Sequence, residues 1–321
     1  MNQDTLPRPG RPRSAASRAR ALEAARTILM RDGMGKLTVE AVKTADAVAK
    51  QRRRLASFSA RIEAAQWDAL EEADSLASTA AAIGYAPLVA ETTYAIGKGL
   101  LAHGELKEAI ELFEVAYFEG LAVGHDEVAT MASSVLVTAL TNTGSFETAK
   151  TWIPHAETVY SRAGEPRTGG QLLANGIANY AQRTGDFEQA ADAFSRAIEL
   201  SRDENGEETA ETGSFYNNLC QAQMALERLD EAEESCTRAI EIVGQRLGER
   251  HPRYAITNTS LANVYLRRGN FKDAVATNRV AVEIAREALG DKHPDYAVLL
   301  TNYGTALRYA GQHKEAMEMT Q

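Results

Sequence analysis

Carboxamide side chains recur about every 42 residues in the C-terminal half of this chain. In four successive segments, amide or hydroxyl residues stand at positions i and i+4, and an arginine follows at i+8 in two of them. Residues at this spacing share one face of an α-helix. An amide both donates and accepts hydrogen bonds, so it can pair with the backbone of an extended peptide of any sequence, and arginine binds carboxylates. The residues predicted to contact a peptide are Asn175, Asn179, Arg183, Asn217, Asn218, Gln221, Asn263, Arg267, Asn302 and Arg308.

The alternative is a helix face that is polar only because it meets water. Such faces are usually rich in Glu and Lys, whereas this one is rich in Asn, which favours peptide binding. Acidic residues lie mainly on the second helix of each predicted pair, as at Glu231, Glu233 and Glu234.

No local motif for catalysis is present. The chain holds six histidines, but no two of them stand at i and i+4 with a carboxylate between, and it has no Gly-Xaa-Ser-Xaa-Gly turn, P-loop or Cys-Xaa-Xaa-Cys. We therefore expect no enzymatic activity, no metal and no cofactor. Cys220 and Cys236 fall at interior positions of two predicted helices, and we expect buried small hydrophobic residues there rather than a metal or redox site.

The elements that position the amide face repeat with a fixed period. A glycine usually stands five residues before the recurring alanine of each repeat, and another small residue follows seven residues after it. This pattern predicts helix, glycine turn, helix, with small residues where two helices cross closely. Two positions depart from it: Val137 replaces a small residue, and Glu227 replaces a turn glycine. The recurring alanines are Ala69, Ala109, Ala149, Ala190, Ala232, Ala274 and Ala316.

Histidine–proline pairs begin two of the predicted helices, His251-Pro252 and His293-Pro294. Together with the period, this resembles tetratricopeptide repeats, in particular the 42-residue repeats of kinesin light chains, which also occur in bacterial proteins. The resemblance covers residues 62–321 and implies an all-α fold, an α-solenoid of about six and a half helix pairs. It also implies that the amide face lines a concave groove for a protein or peptide. We assign residues 44–321 to this solenoid.

A second resemblance lies near the start of the repeats. The run Gly84-Tyr85-Ala86-Pro87-Leu88 is similar to the repeat region of long bacterial serine/threonine kinases, although none of the kinase motifs is present. At the other end, the last repeat stops at Gln321, inside its second helix. This predicts an uncovered apolar face that can self-associate.

The N-terminal segment differs in charge from the rest. The first 61 residues hold 14 Lys/Arg against 5 Asp/Glu, whereas the remainder holds 21 against 39. We assign residues 1–13 to a basic disordered arm and residues 14–43 to a partial helical segment, which resembles the start of TetR-family repressors in Gly10-Arg11-Pro12-Arg13 and in residues 37–42. No recognition helix follows, because the basic run 50–54 is expected to belong to a different helix. The residues predicted to give weak, nonspecific DNA contact are Arg8, Arg11, Arg13 and Arg18.

Two functions remain after this comparison. The favoured one is a cytoplasmic protein-interaction scaffold that binds an extended peptide in the concave groove of its repeats. The alternative is a DNA-associated transcriptional regulator, in which the basic head contacts DNA and the repeats bind a regulatory partner; the other interpretation of the head is a solvated tail. No apolar run is long enough for a membrane helix, and no secretory signal is evident, so we expect no membrane contact.

Overall fold

The computed structural model describes residues 39–202 and 206–318, and these ranges contain fourteen α-helices and no β-strand. The first helices are α1 (Val39–Glu63), α2 (Ala73–Ile83), α3 (Ala86–His103), α4 (Leu106–Val123) and α5 (Asp126–Asn142), with a 3₁₀ helix (Trp67–Glu72) before α2. There follow α6 (Phe146–Arg162), α7 (Arg167–Thr184), α8 (Phe187–Leu200), α9 (Ala210–Ala225), α10 (Leu229–Leu247), α11 (Pro252–Arg267), α12 (Phe271–Leu289), α13 (Pro294–Tyr309) and α14 (His313–Glu318). The predicted all-α repeat fold is confirmed.

The chain divides into two compact units, residues 1–128 and 129–321. In the described part of the first unit, one helix, α1, covers both the end of the repressor-like segment and the basic run 50–54. The expectation of two separate helices was wrong. The physical reason is that residues 39–63 contain neither glycine nor proline, so nothing interrupts the helical hydrogen-bond ladder.

Two arginines of the basic run in α1 are occupied within the first unit. Arg52 makes a bidentate ion pair with Glu91 of α3, at 2.5 and 2.8 Å, and Arg54 donates to Gln51, Ser75 and Thr79. Burial alone would raise the pKa of Glu91, but hydrogen bonds from His125 and Arg52 outweigh burial and hold it below its usual value. These arginines therefore stabilise the packing of α1.

The recurring alanines lie in the core of both units. Six of the seven are completely buried, and Ala316 is 5% exposed. Ala69 is among the buried ones although it lies in the 3₁₀ helix, so the first repeat keeps the packing position while its second helix is irregular. This burial confirms that the period marks helix–helix crossing points.

The turns between paired helices require the left-handed backbone region. Gly185 has a φ of 87° and Gly269 has a φ of 78°. Glu227, which takes the place of the glycine in the repeat between them, has a φ of 58°. The turn is therefore kept by a residue whose β-carbon makes this conformation unfavourable.

The two cysteines are buried, as expected, but they are not independent hydrophobic residues. Cys220 of α9 and Cys236 of α10 form a disulfide, with their α-carbons 5.4 Å apart. They occupy facing positions of one helix pair, where the preceding pair has Ala178 and Phe194. Two side chains of intermediate size at these facing positions bring the sulfurs to bonding distance. The expectation of two buried hydrophobic residues without a redox role is therefore corrected to a disulfide. No helix among the described residues meets the length and hydrophobicity that a membrane span requires.

Candidate peptide-binding groove

The groove-lining helices begin at fixed residues. His251 and His293 precede Pro252 and Pro294, and each imidazole Nδ1 accepts a hydrogen bond from the backbone N–H two residues later, at 3.1 and 3.2 Å. Proline suits the first turn because its missing N–H would have no intrahelical partner there. The shared cap starts α11 and α13 at equivalent residues, so their side chains stay in register.

An open groove of about 520 Å³ lies across α9, α11 and α13, in the second unit. Four residues of the predicted set line it: Gln221, Asn263, Arg267 and Asn302. The complete lining is Gln182, Gln221, Met224, Ala225, Ile256, Thr259, Ser260, Asn263, Arg267, Asp295, Val298, Leu299 and Asn302. The structure therefore assembles the central part of the predicted face into one site.

Three predicted amides that line the groove have unused hydrogen-bonding capacity. The side chains of Gln221, Asn263 and Asn302 are partly exposed and make no hydrogen bond to any described residue. A carboxamide can donate two hydrogen bonds and accept two. These three side chains can thus contact a polypeptide backbone without first breaking an internal hydrogen bond.

The amides before the groove are placed differently. Asn179 donates to the backbone oxygen and to Oδ1 of Asn175, at 2.8 and 3.0 Å. Asn217 is buried, 7% exposed, and its Nδ2 lies 3.5 Å from Oδ1 of Asn218. None of these four residues lines the groove. The stripe that looked uniform in sequence is therefore divided into internally paired or buried amides and open ones.

The predicted arginines do not converge on one point of the groove. Arg267 lies at one end, where its Nη1 is 2.6 Å from Oε1 of Glu227. Arg308 donates to Oγ1 of Thr305 at 3.1 Å, and neither Arg308 nor Arg183 belongs to the lining. Asp295 stands at the other end. The groove therefore has a cationic end already facing a carboxylate, and an anionic end.

Exposed apolar side chains of the groove were missed by the sequence analysis. Ile256 is 40% exposed and Val298 is 59% exposed, and the two are 42 residues apart on α11 and α13. Met224 and Leu299 complete this apolar surface. The available signal was an apolar residue three positions before Thr259 and Thr301, on the face assigned to polar contacts.

The apolar surface continues past Arg267. An adjoining hollow of about 690 Å³ shares Met224, Asn263 and Arg267 with the groove and reaches Phe271 and Tyr309. The Tyr309 ring stacks on Phe271, with centroids 5.7 Å apart, yet 64% of Tyr309 remains exposed. This aromatic pair therefore extends the exposed apolar surface beyond the groove.

The sites expected elsewhere are not all within the described part of the chain. Arg8, Arg11, Arg13 and Arg18 lie outside it, as does the repressor-like segment up to residue 38, so those predictions stand untested. Within residues 39–202 and 206–318, no group of three or more His, Cys, Asp or Glu side chains is arranged to hold a metal ion.

Comparison with known families and structures identifies the repeats. Residues 175–246, 211–287 and 281–321 match tetratricopeptide repeat families. A search of curated protein sequences gives no significant match. The fold resembles that of a Podosopora anserina protein with nearly identical kinesin-light-chain TPR-like repeats, at 18% identity and a TM-score of 0.50 over 59% of this chain and 90% of that one.

Two larger overlaps support the same fold. A signal-transduction ATPase with a tetratricopeptide repeat sensor from Pyrococcus horikoshii has a TM-score of 0.59 at 12% identity, covering 88% of this chain and 47% of that one. The apo form of RapI has a TM-score of 0.56 at 15% identity, covering 91% and 78%. The chain therefore contains tetratricopeptide repeats, a scaffold that generally mediates protein–protein interaction.

Proposed function

We propose that this protein is an interaction module that binds a partner through an extended peptide segment laid across α9, α11 and α13. The observation that carries the proposal is the combination of open amides with an exposed apolar surface in one groove. Gln221, Asn263 and Asn302 supply hydrogen bonds, while Ile256 and Val298 supply apolar area. A helix face that only meets water does not require open amides together with an exposed apolar surface.

The two kinds of contact serve different purposes. Backbone pairing by amides gives affinity that is insensitive to sequence, whereas the apolar surface selects for apolar side chains at fixed intervals. Burying one aliphatic side chain contributes roughly 1.5–3 kcal/mol. The proposed ligand is thus an extended segment whose apolar side chains lie over Ile256 and Val298. Its remaining residues are uncharged or carry charges of both signs, because Arg267 and Asp295 stand at opposite ends of the groove.

The proposal is tested by selecting peptides from a displayed random library on the intact protein and measuring their affinity by calorimetry. Ile256→Asp places a charge in the apolar surface and is expected to remove binding. Gln221→Ala with Asn263→Ala is expected to weaken it about tenfold or more, since each open amide contributes on the order of 1 kcal/mol. Melting temperature and helicity should change little, because these side chains are not packed in the core.

Asn270→Ala is the matched control. Asn270 is an exposed amide outside the groove lining, and its side chain makes no cap hydrogen bond, so its removal should leave affinity unchanged. Selected peptides that bind the Ile256→Asp variant as tightly as the parent would show that the groove is not the binding site.

A further inference from the structure

A second cavity, of about 460 Å³, lies in the same unit but is lined by none of the groove residues. It is formed by the C-terminal end of α6 with the turn that follows, the first part of α7, and α8. We call this cavity the cleft. Its lining is Glu157, Tyr160, Ser161, Glu165, Gly170, Leu173, Ala174, Ile177, Gln189, Asp192, Ala193 and Arg196.

The cleft lies where two residues differ from their equivalents in the next repeat. Ala174 of α7 corresponds to Tyr216 of α9, 42 residues later, and Tyr216 packs against the core. On the wall, Glu157 corresponds to Ile198, which is buried in that core. The space that a tyrosine and an isoleucine fill at the second junction is therefore left open at the first, with an acidic side chain at its edge.

One tyrosine of the cleft lining has a hydroxyl without a hydrogen-bond partner among the described residues. Tyr160 is only 6% exposed and lines the cleft, and its hydroxyl makes no hydrogen bond to any described residue. The hydroxyl lies against Gly170, where an added β-carbon would come within 2.5 Å of it. The side chain is buried but its hydroxyl is not fully enclosed, so a ligand in the cleft can form a hydrogen bond with it.

The charges around the cleft are unbalanced. Glu157, Glu165 and Asp192 are exposed on its rim, and none of them forms an ion pair with a described residue. The single cation of the lining is Arg196, whose guanidinium lies 5.9 Å from the centre of the Tyr160 ring. Three carboxylates against one guanidinium favour a cationic ligand.

We propose that the cleft is a binding site for an alkylammonium group. The alkyl chain would lie on Leu173, Ala174 and Ile177, and the ammonium would donate to the rim carboxylates and to the Tyr160 hydroxyl. A free aliphatic amine and the lysine side chain of a partner share this chemistry. The site is separate from the peptide groove, so either proposal can fail without the other.

The direct test is a titration of the methyl-labelled protein with n-hexylammonium chloride, followed by NMR. Saturable shifts of the Leu173, Ala174 and Ile177 methyl signals are expected, while hexanoate should leave them in place. Shifts caused by hexanoate rather than by hexylammonium would overturn the proposal, and so would the absence of saturable shifts with hexylammonium and with lysine peptides alike.

Variants separate the chemical contributions. Glu157→Gln with Asp192→Asn is expected to weaken hexylammonium binding about tenfold, the loss typical of one charge-assisted hydrogen bond. Arg196→Gln should strengthen it severalfold, because the competing cation is removed. Glu199→Gln, an exposed acid of α8 outside the cleft, is the matched control and should change nothing. If Arg196→Gln abolishes hexylammonium binding, the guanidinium is required rather than competing, and the proposal is wrong.

The shape requirement has its own variant. Ala174→Tyr introduces the residue that the next repeat already carries at the equivalent position, so the fold is expected to accept it. It should eliminate the hexylammonium shifts while the groove still binds its selected peptides. Retained binding in a folded Ala174→Tyr variant would place the ligand elsewhere.

A second arm identifies the source of the alkylammonium group. A pentapeptide with a central lysine is compared with the same peptide carrying norleucine, and both are compared with free hexylammonium. Tighter binding of the lysine peptide indicates a partner protein, and tighter binding of the free amine indicates a small-molecule ligand; either supports the site. Saturable binding of the norleucine peptide in the cleft, as tight as that of the lysine peptide, would contradict it.

Discussion

The helix pairs α7/α8 and α9/α10 are successive copies of one repeat, yet their interiors are held together differently. In α7/α8 the facing core positions are Ala178 and Phe194, a small residue against a large one. In α9/α10 the same positions are Cys220 and Cys236, joined by a disulfide. Both contacts are buried, but the chemistry that fills them differs between the two copies of the repeat.

The junctions that precede these pairs also differ in chemistry. Tyr160 packs against Gly170 at the first junction, whereas Ser201 and Thr212 meet at the second, with their hydroxyl oxygens 2.8 Å apart. Two small polar residues, Ser201 and Thr212, thus stand where the first junction has a tyrosine and a glycine. A site such as the cleft arises where such an exchange leaves part of the space empty.

The largest expected effect comes from truncating the aromatic side of the first pair. Phe194 is fully buried, so Phe194→Ala should destabilise the protein by about 3–5 kcal/mol through lost burial and a residual cavity. Urea unfolding followed by circular dichroism measures this change. Phe187→Ala, at the half-buried start of the same helix, is the control and should cost clearly less. Equal losses of stability would mean that Phe194 is no more important to the core than Phe187.

Removing the disulfide of the second pair should cost slightly less. Its cysteines are 16 residues apart, and a loop of this length corresponds to about 3 kcal/mol in the chain-entropy description. The Cys220→Ala/Cys236→Ala variant and the reduced parent should therefore melt at similar, lowered temperatures. Two titratable thiols in the oxidised, unfolded parent would show that the bond is not formed.

The junctions can be exchanged to test their compensation. Gly170→Thr should cost about 1–3 kcal/mol, because the added β-carbon overlaps the Tyr160 hydroxyl. Tyr160→Ser in the same chain recreates the Ser201/Thr212 arrangement and should recover much of that loss. A double-mutant cycle gives the coupling energy. Additive losses would refute a direct contact between the two positions.

The smallest effect is expected at the turns. Gly185 and Glu227 occupy equivalent positions with left-handed backbones. Glu227→Gly removes the β-carbon from this conformation and should stabilise the protein by about 0.5–1 kcal/mol, whereas Gly185→Ala should destabilise it by about 1 kcal/mol. Thermal melting distinguishes the two signs. Destabilisation by Glu227→Gly would show that the ion pair between Glu227 and Arg267 stabilises the protein more than exposed ion pairs usually do.

Much of the fold was predictable from the alanine period, because the spacing of small residues along a helix fixes which side packs. Local sequence predicts the burial of Ala190 and Ala232 and the turn at Glu227. It also predicts the helix starts after His251 and His293. Local spacing also placed Asn263 and Asn302 on the face that lines the groove.

The sequence by itself determined the helical repeat and the side of each helix that faces the core. Only the tertiary structure decided which amides remain open, that Ile256 and Val298 stay exposed, that Cys220 meets Cys236, and that Ala174 leaves a cleft. The physical reason is that helical periodicity fixes directions within one helix, whereas these features depend on distances between residues of different helices. Those distances are set by the summed sizes of side chains at each crossing, which no single position specifies.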